Sequence, residues 1–214
     1  MTYSHILWDF NGTILNDVEI GMKSANALLK CRNMKTIDSL EDYHNVFCFP
    51  IIEYYRRLGF NLEEESYNNL AVQWLEQYLI NSKEAKLYDG IVDVLLAMKQ
   101  HSIAQIILSA TEKQMLTKQV FELGIIEYFD DILGLDNIHA YSKVDIARQW
   151  KLIANPERAV LIGDTVHDFE VASAINVECI LIANGHQSKA VLQSCGVLVL
   201  DAVSEILEIG VILG

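Results

Sequence analysis

Five short apolar runs, at residues 4–10, 103–108, 159–162, 178–182 and 197–200, consist mostly of Ile, Leu and Val and are too short for helices. Segments of helical period lie between and after them. Ile91, Val94, Leu95 and Met98 share one face, and Met115, Gln119, Val120 and Leu123 share a second. Ile146, Ala147, Trp150 and Ile153 make a third. Buried strands alternating with helices of this length predict βαβ units. The expected fold class is therefore α/β, with a doubly wound, mostly parallel sheet covered on both faces.

Residues 17–86 break the alternation, because nothing there has the pattern of a buried strand. Val18, Met22, Ala25 and Leu29 define one amphipathic helix. Tyr67, Leu70, Ala71, Trp74, Leu75, Tyr78 and Leu79 define another with a wide aromatic stripe. Such a stripe reads as packing in a helical bundle before it reads as a ligand box. The expected organisation is a core of residues 1–16 and 87–214 with an all-helical insert at 17–86, placed where a lid over a site can attach.

At 214 residues and 51% apolar content, the chain can bury a sizeable core. Its formal net charge of −13, from 29 acidic and 16 basic residues, argues against nucleic-acid or anionic-membrane partners, which need basic surfaces. Cys31, Cys48, Cys179 and Cys195 show no ligand spacing and read as free thiols in a reducing compartment. No apolar run approaches a membrane span, and no leader pattern opens the chain, so a cytoplasmic location is expected.

In parallel α/β sheets, ligands bind outside the carboxyl ends of the strands. The first run ends in Asp9, followed by Phe10, Asn11, Gly12 and Thr13. A second ends in Ser109-Ala110, and a third runs into Gly163-Asp164-Thr-Val-His-Asp168. Lys143 opens a helix just after the loop from Gly134 to Ser142. Carboxylates, a hydroxyl and a lysine at those ends suit a hard cation together with a phosphate. Each residue alone has a plainer reading. Asn11-Gly12 is a hairpin signal, Ser109-Ala-Thr-Glu112 fits a capping box, and Asp168 suits a first helical turn. Lys143 alone reads as a solvated lysine.

The four motifs taken in order resemble the haloacid dehalogenase superfamily of hydrolases. The resemblance is to its phosphoglycolate-phosphatase-like branch, with a helical cap after the first strand and a Rossmann-like core. Asp9-Phe-Asn11-Gly12-Thr13 stands for the first motif, Ile106-Ile-Leu-Ser109 for the second, Lys143 for the third and Gly163-Asp164-Thr-Val-His-Asp168 for the fourth. Tyr88-Asp-Gly90 matches the return from cap to core. The resemblance implies a Mg²⁺-dependent phosphatase acting on a small phosphorylated metabolite. Asp9 would be the nucleophile, and Asp9, Asn11 (through its backbone carbonyl), Asp164 and Asp168 would hold the metal. Gly12, Ser109, Ala110 and Lys143 would hold the phosphate.

The departure is Asn11, where the phosphatases carry an aspartate that protonates the leaving group. An amide cannot carry that proton, and general acid–base catalysis contributes roughly 10²–10⁴-fold. Leaving groups that need little protonation remain open, as does a phosphotransferase or a phosphate-binding protein with impaired turnover. Schiff-base chemistry of the phosphonoacetaldehyde hydrolase kind is disfavoured, because residues 36–82 contain no lysine. Metal-free dehalogenation is disfavoured by Asn11 and by the acidic motif around Asp164. In the insert, Arg56 is a candidate for a substrate anion, although a solvated helix face explains it equally well. Phe47-Cys-Phe-Pro50 is a candidate site-facing loop. His167 and His186 follow strand ends, and His186 is a candidate replacement for the missing acid/base.

Overall fold

The computed structural model describes residues 3–135 and 142–209. Most of the loop expected between Gly134 and Ser142 lies outside them. Six parallel strands form the main sheet: β1 (His5–Trp8), β4 (Ala104–Glu112), β5 (Asp131–Leu135), β6 (Ala159–Gly163), β7 (Glu178–Ile182) and β8 (Leu198–Leu200). Their spatial order is β5-β4-β1-β6-β7-β8. The chain builds outward from β1 on one side, then crosses back to build outward on the other. The reversal at β1 makes the crevice at its carboxyl end the expected ligand position.

The strands alternate their side chains between two cores. Ile6, Trp8, Ile107, Val160 and Ile162 pack on one face with Ile91, Leu95 and Met98 of α5 (Ile91–Gln100). Leu7, Ile106, Leu108 and Leu161 pack on the other with Ala147 and Trp150 of α7 (Lys143–Ala154) and Val171 of α8 (Val166–Ala174). Period-two burial on both faces explains why these strands read as continuous apolar runs. Helices α6 (Lys113–Glu122) and α9 (Lys189–Gln193) complete the cover.

Between β1 and β4 the chain forms α1 (Val18–Cys31), α2 (Leu40–Val46), α3 (Ile51–Arg57) and α4 (Tyr67–Asn81). They share a separate cluster in which Val18, Ala25 and Leu29 meet Tyr43, Tyr54, Tyr55 and Leu70. The outgoing and returning segments pair as an antiparallel ribbon, β2 (Leu15–Asn16) with β3 (Lys86–Leu87).

Several expectations need correction. The turn at Asn11-Gly12 joins no hairpin, because β1 pairs with β4 and β6 while Leu15 pairs with Leu87. β5 had no recognisable pattern. Ile153, expected on the buried face of α7, is 86% exposed, since the last turn of that helix overhangs the core. Ser109 caps no helix: β4 continues through a register shift between Leu108 and Glu112, and Glu112 caps α6 by accepting from the Gln114 and Met115 amides. Among the described residues no helix is long and apolar enough to cross a membrane.

Candidate active site

Asp9 directly follows β1, where its amide donates to Ile162 O at 2.8 Å. Asp164 directly follows the adjacent strand β6. Ser109 lies in β4, on the other side of β1, where the irregularity turns the strand; such bulges recur beside active sites because they re-aim side chains. Its Oγ accepts from the Thr111 amide at 3.1 Å.

Two capped helices supply the rest. Ser142 and Asp145 form a capping box that starts α7, which makes Lys143 its first residue. Thr165 and Asp168 form the box of α8, with Asp168 Oδ2 accepting from the Thr165 amide at 3.0 Å and hydroxyl at 2.6 Å. The other oxygen of Asp168 accepts from Lys143 Nζ at 2.6 Å, and the same ammonium donates to Asp9 Oδ1. Asp164 accepts from Thr13 Oγ1 at 3.1 Å and from the His186 amide at 2.6 Å. Gly185 permits that approach, since a Cβ there would stand 2.2 Å from Asp164 Oδ2.

Carboxylate oxygens of Asp9, Asp164 and Asp168 all lie within 4.8 Å of one another, and all three residues are buried. Burial, reinforced by the neighbouring Asp168 and Asp164, pushes Asp9 well above the usual carboxylate range despite Lys143. Burial likewise pushes Asp164 up to about 6, with His186 opposing it. Burial acts on Asp168 too, but Lys143 and the Thr165 hydroxyl outweigh it and hold its carboxyl low. Burial alone would lower Lys143; the two carboxylates reverse that and keep it an ammonium.

Asn11 is held at three points. Its Nδ2 donates to Asp17 Oδ2 at 2.7 Å and to the Tyr78 hydroxyl at 2.8 Å, and its Oδ1 accepts from Thr111 Oγ1 at 3.0 Å. Asp17 also accepts from the Tyr78 hydroxyl at 2.6 Å and from the Gly12 amide at 2.9 Å. His186 Nε2 stands 3.4 Å from Asp17 Oδ1, and its Nδ1 is 2.8 Å from the Tyr43 hydroxyl. Burial alone would lower His186, yet Asp17 raises it to about 9, so it is the imidazolium near neutrality.

These groups floor a cavity of about 420 Å³ whose walls come from α2–α4 and their loops. Asp9, Asn11, Ser109, Ala110, Lys143, Asp164, Asp168, His167 and His186 all line it, as do Phe47 and Phe49 of the anticipated loop. Two expected substrate-binding residues are not brought there. Arg56 pairs with Glu53 on an exposed face of α3, a one-turn ion pair that leaves its guanidinium outside. The Gly12 amide is taken by Leu15 O and Asp17 Oδ1, so it has no free donor for a phosphate. The aromatic stripe of α4 is divided: Leu70 packs in the bundle, whereas Trp74, Leu75 and Tyr78 face the cavity. Asp17, Tyr43, Tyr78 and Thr111 were not anticipated.

A family model described as haloacid dehalogenase-like hydrolase matches residues 6–182. The phosphoglycolate phosphatase of Nitrosococcus oceani is 28% identical over 136 residues, which span 58% of this chain and 57% of that protein. Pyrophosphatase PpaX of Listeria innocua is 25% identical over 170 residues, 77% of this chain and 76% of its own. A haloacid dehalogenase-like hydrolase from Streptococcus pneumoniae superposes with a TM-score of 0.81 at 20% identity, covering 96% of this chain and 97% of its own. A match that begins in the strand leading to Asp9 and runs to the end of β7 makes this chain a member of the haloacid dehalogenase-like hydrolase family.

Proposed function

We propose that the chain is a cytoplasmic, Mg²⁺-dependent phosphohydrolase acting on a small phosphorylated metabolite through an aspartyl-phosphate on Asp9. Residues 17–86 would act as a cap over a core of residues 1–16 and 87–214. The observation that carries this reading is the convergence of Asp9 and Asp164, at the carboxyl ends of adjacent strands, with Lys143 and Asp168 from the first turns of α7 and α8. The names of the Nitrosococcus and Listeria relatives, both phosphate-releasing enzymes, support it.

Three buried carboxylates beside one ammonium fit a hard divalent cation, because their oxygens repel one another without further positive charge. Asp9, Asp164 and Asp168, with the Asn11 backbone carbonyl, would hold Mg²⁺, which would supply charge neutralisation to the phosphate. An Asp9 oxygen attacks phosphorus as the bond to the leaving group breaks, and the leaving oxygen keeps the electron pair. Lys143 favours the ionised form of Asp9 that this attack requires. The Ser109 hydroxyl and the Ala110 amide bind phosphate oxygens.

Asn11 gives no proton to the leaving group. An aspartate in its place would face the Asp17 carboxylate, which raises the pKa of a new neighbour and suits it to act as an acid. The test is Mg²⁺-dependent phosphate release from phenyl phosphate and from an alkyl phosphate by wild type, Asp9→Asn and Asn11→Asp. Asp9→Asn abolishes release, and Asn11→Asp raises turnover of the alkyl ester by roughly 10²–10⁴-fold. Silence from all three proteins, with phosphate still binding, would replace hydrolysis by a phosphate-binding role.

A further inference from the structure

The walls and floor of the cavity differ in chemistry. Asp9, Asp164, Asp168 and Lys143 make a charged floor, while Phe47, Phe49, Tyr54, Trp74 and Leu75 make a wall that is almost wholly apolar. Among the described lining residues Lys143 is the one lysine or arginine, and it is committed to Asp9 and Asp168. His186 is committed to Asp17 and Tyr43, and His167 stacks on Phe49 with Glu170 at its Nδ1. Glu112 adds a carboxylate to the lining. Among the described residues, a second anionic group on the substrate would therefore lose its water and find no uncommitted cation in exchange.

The wall offers rings to a ligand, with Trp74 and Tyr78 stacked at 5.0 Å. The Tyr43 and Tyr78 hydroxyls are both engaged, and Tyr54 Oη and Trp74 Nε1 are buried away from the cavity surface.

Asn11 points the same way. With an amide in the place of the family's acid, the group that departs most readily is one whose oxyanion is already stable. A phenol, ionising near pH ~10, meets that condition far better than an alkyl alcohol.

We propose that this site acts on phosphate monoesters of uncharged aromatic alcohols, with the ring packed against the Phe47–Trp74 wall. The proposal rests on the phosphohydrolase reading above and narrows its substrate. The Asp9 carboxylate forms the new bond to phosphorus and the aryl O–P bond breaks. The aryl oxide leaves with the electron pair and takes its proton from solvent.

Calorimetric titration of the Mg²⁺-loaded protein with inert analogues tests the wall apart from the chemistry. Benzylphosphonate stands for an aryl phosphate and 3-phosphonopropionate for a carboxylated alkyl phosphate. Burial of the ring predicts roughly 10–100-fold tighter binding of the former. Equal or tighter binding of 3-phosphonopropionate overturns the proposal. Phosphate release from phenyl phosphate and phosphoglycolate is measured in parallel. Release from neither refutes the hydrolase reading, while the binding order still decides the chemistry of the wall.

Discussion

Asp17 accepts from an amide side chain, a backbone amide and a phenol, and faces an imidazolium, and this explains a pH window. Its carboxyl is lowered: burial alone would raise it, but His186, Tyr78 and Asn11 prevail. His186 is raised from 6.5 to about 9 by Asp17, against its burial. A histidine with a raised folded pKa stabilises fully below its ordinary value and loses that contribution as pH rises through about 9. Asp17, being lowered, contributes above its ordinary value of 3.8 and is lost as pH falls through its folded value. In metal-free protein, thermal stability should therefore decline on the alkaline side between about 6.5 and 9, and His186→Gln should flatten that decline in melting curves. Asp9, Lys143, Asp164 and Asp168 were legible in the sequence because each sits at a strand end or in a helix's first turn, and Ser109 because it closes the apolar run of β4. Asp17 was not, since its partners Tyr78 and His186 lie far along the chain and only folding brings them together.

Helix starts, more than strands, set the spacing of the charged groups. The Asp168 carboxylate serves the capping box of α8 with one oxygen and Lys143 with the other. The helix terminus and the site are thus one construction. Thr165→Ala removes the hydroxyl and should cost about 0.5–2 kcal/mol in denaturant unfolding. It should also weaken Mg²⁺ binding, because Asp168 loses a bond that holds it low and in place. The long elements were readable from period alone: α1, α4 and α5 from 3.6-residue spacing, and β1, β6 and β7 as double-faced apolar runs. β5 was missed because Asp131 and Gly134 interrupt its apolar residues and it lies at the sheet edge, where one flank needs no pairing partner. β2 and β3, with two residues each, are held by each other and carry no pattern of their own.

Across the whole molecule, the helical segment and the sheet meet at the site itself. Tyr78 of α4 and Tyr43 of α2 reach Asp17 and His186, and His44 Nε2 lies 3.1 Å from Gly185 O. A cation held by Asp9, Asp164 and Asp168 would bind the folded chain alone, so Mg²⁺ should raise the melting temperature. Saturation at 100 times the dissociation constant corresponds to about 2.7 kcal/mol. The rise should shrink below pH about 6, where Asp164 takes up its proton, and disappear in Asp164→Asn. Differential scanning fluorimetry across pH checks both. The three bonds on the Asn11 side chain have one more result, which concerns ageing. An asparagine followed by glycine deamidates when the next backbone nitrogen attacks its side-chain carbonyl. Here that nitrogen is engaged by Leu15 O and Asp17, and the amide it would attack is tied by Asp17, Tyr78 and Thr111. Folding therefore guards the amide, and time spent unfolded lets it close to a succinimide with loss of ammonia, which water opens to isoaspartate and, in smaller part, to the aspartate the site lacks. A sample that has been denatured and refolded should gain alkyl phosphatase activity in step with the aspartate, not the isoaspartate, fraction of the Asn11 peptide.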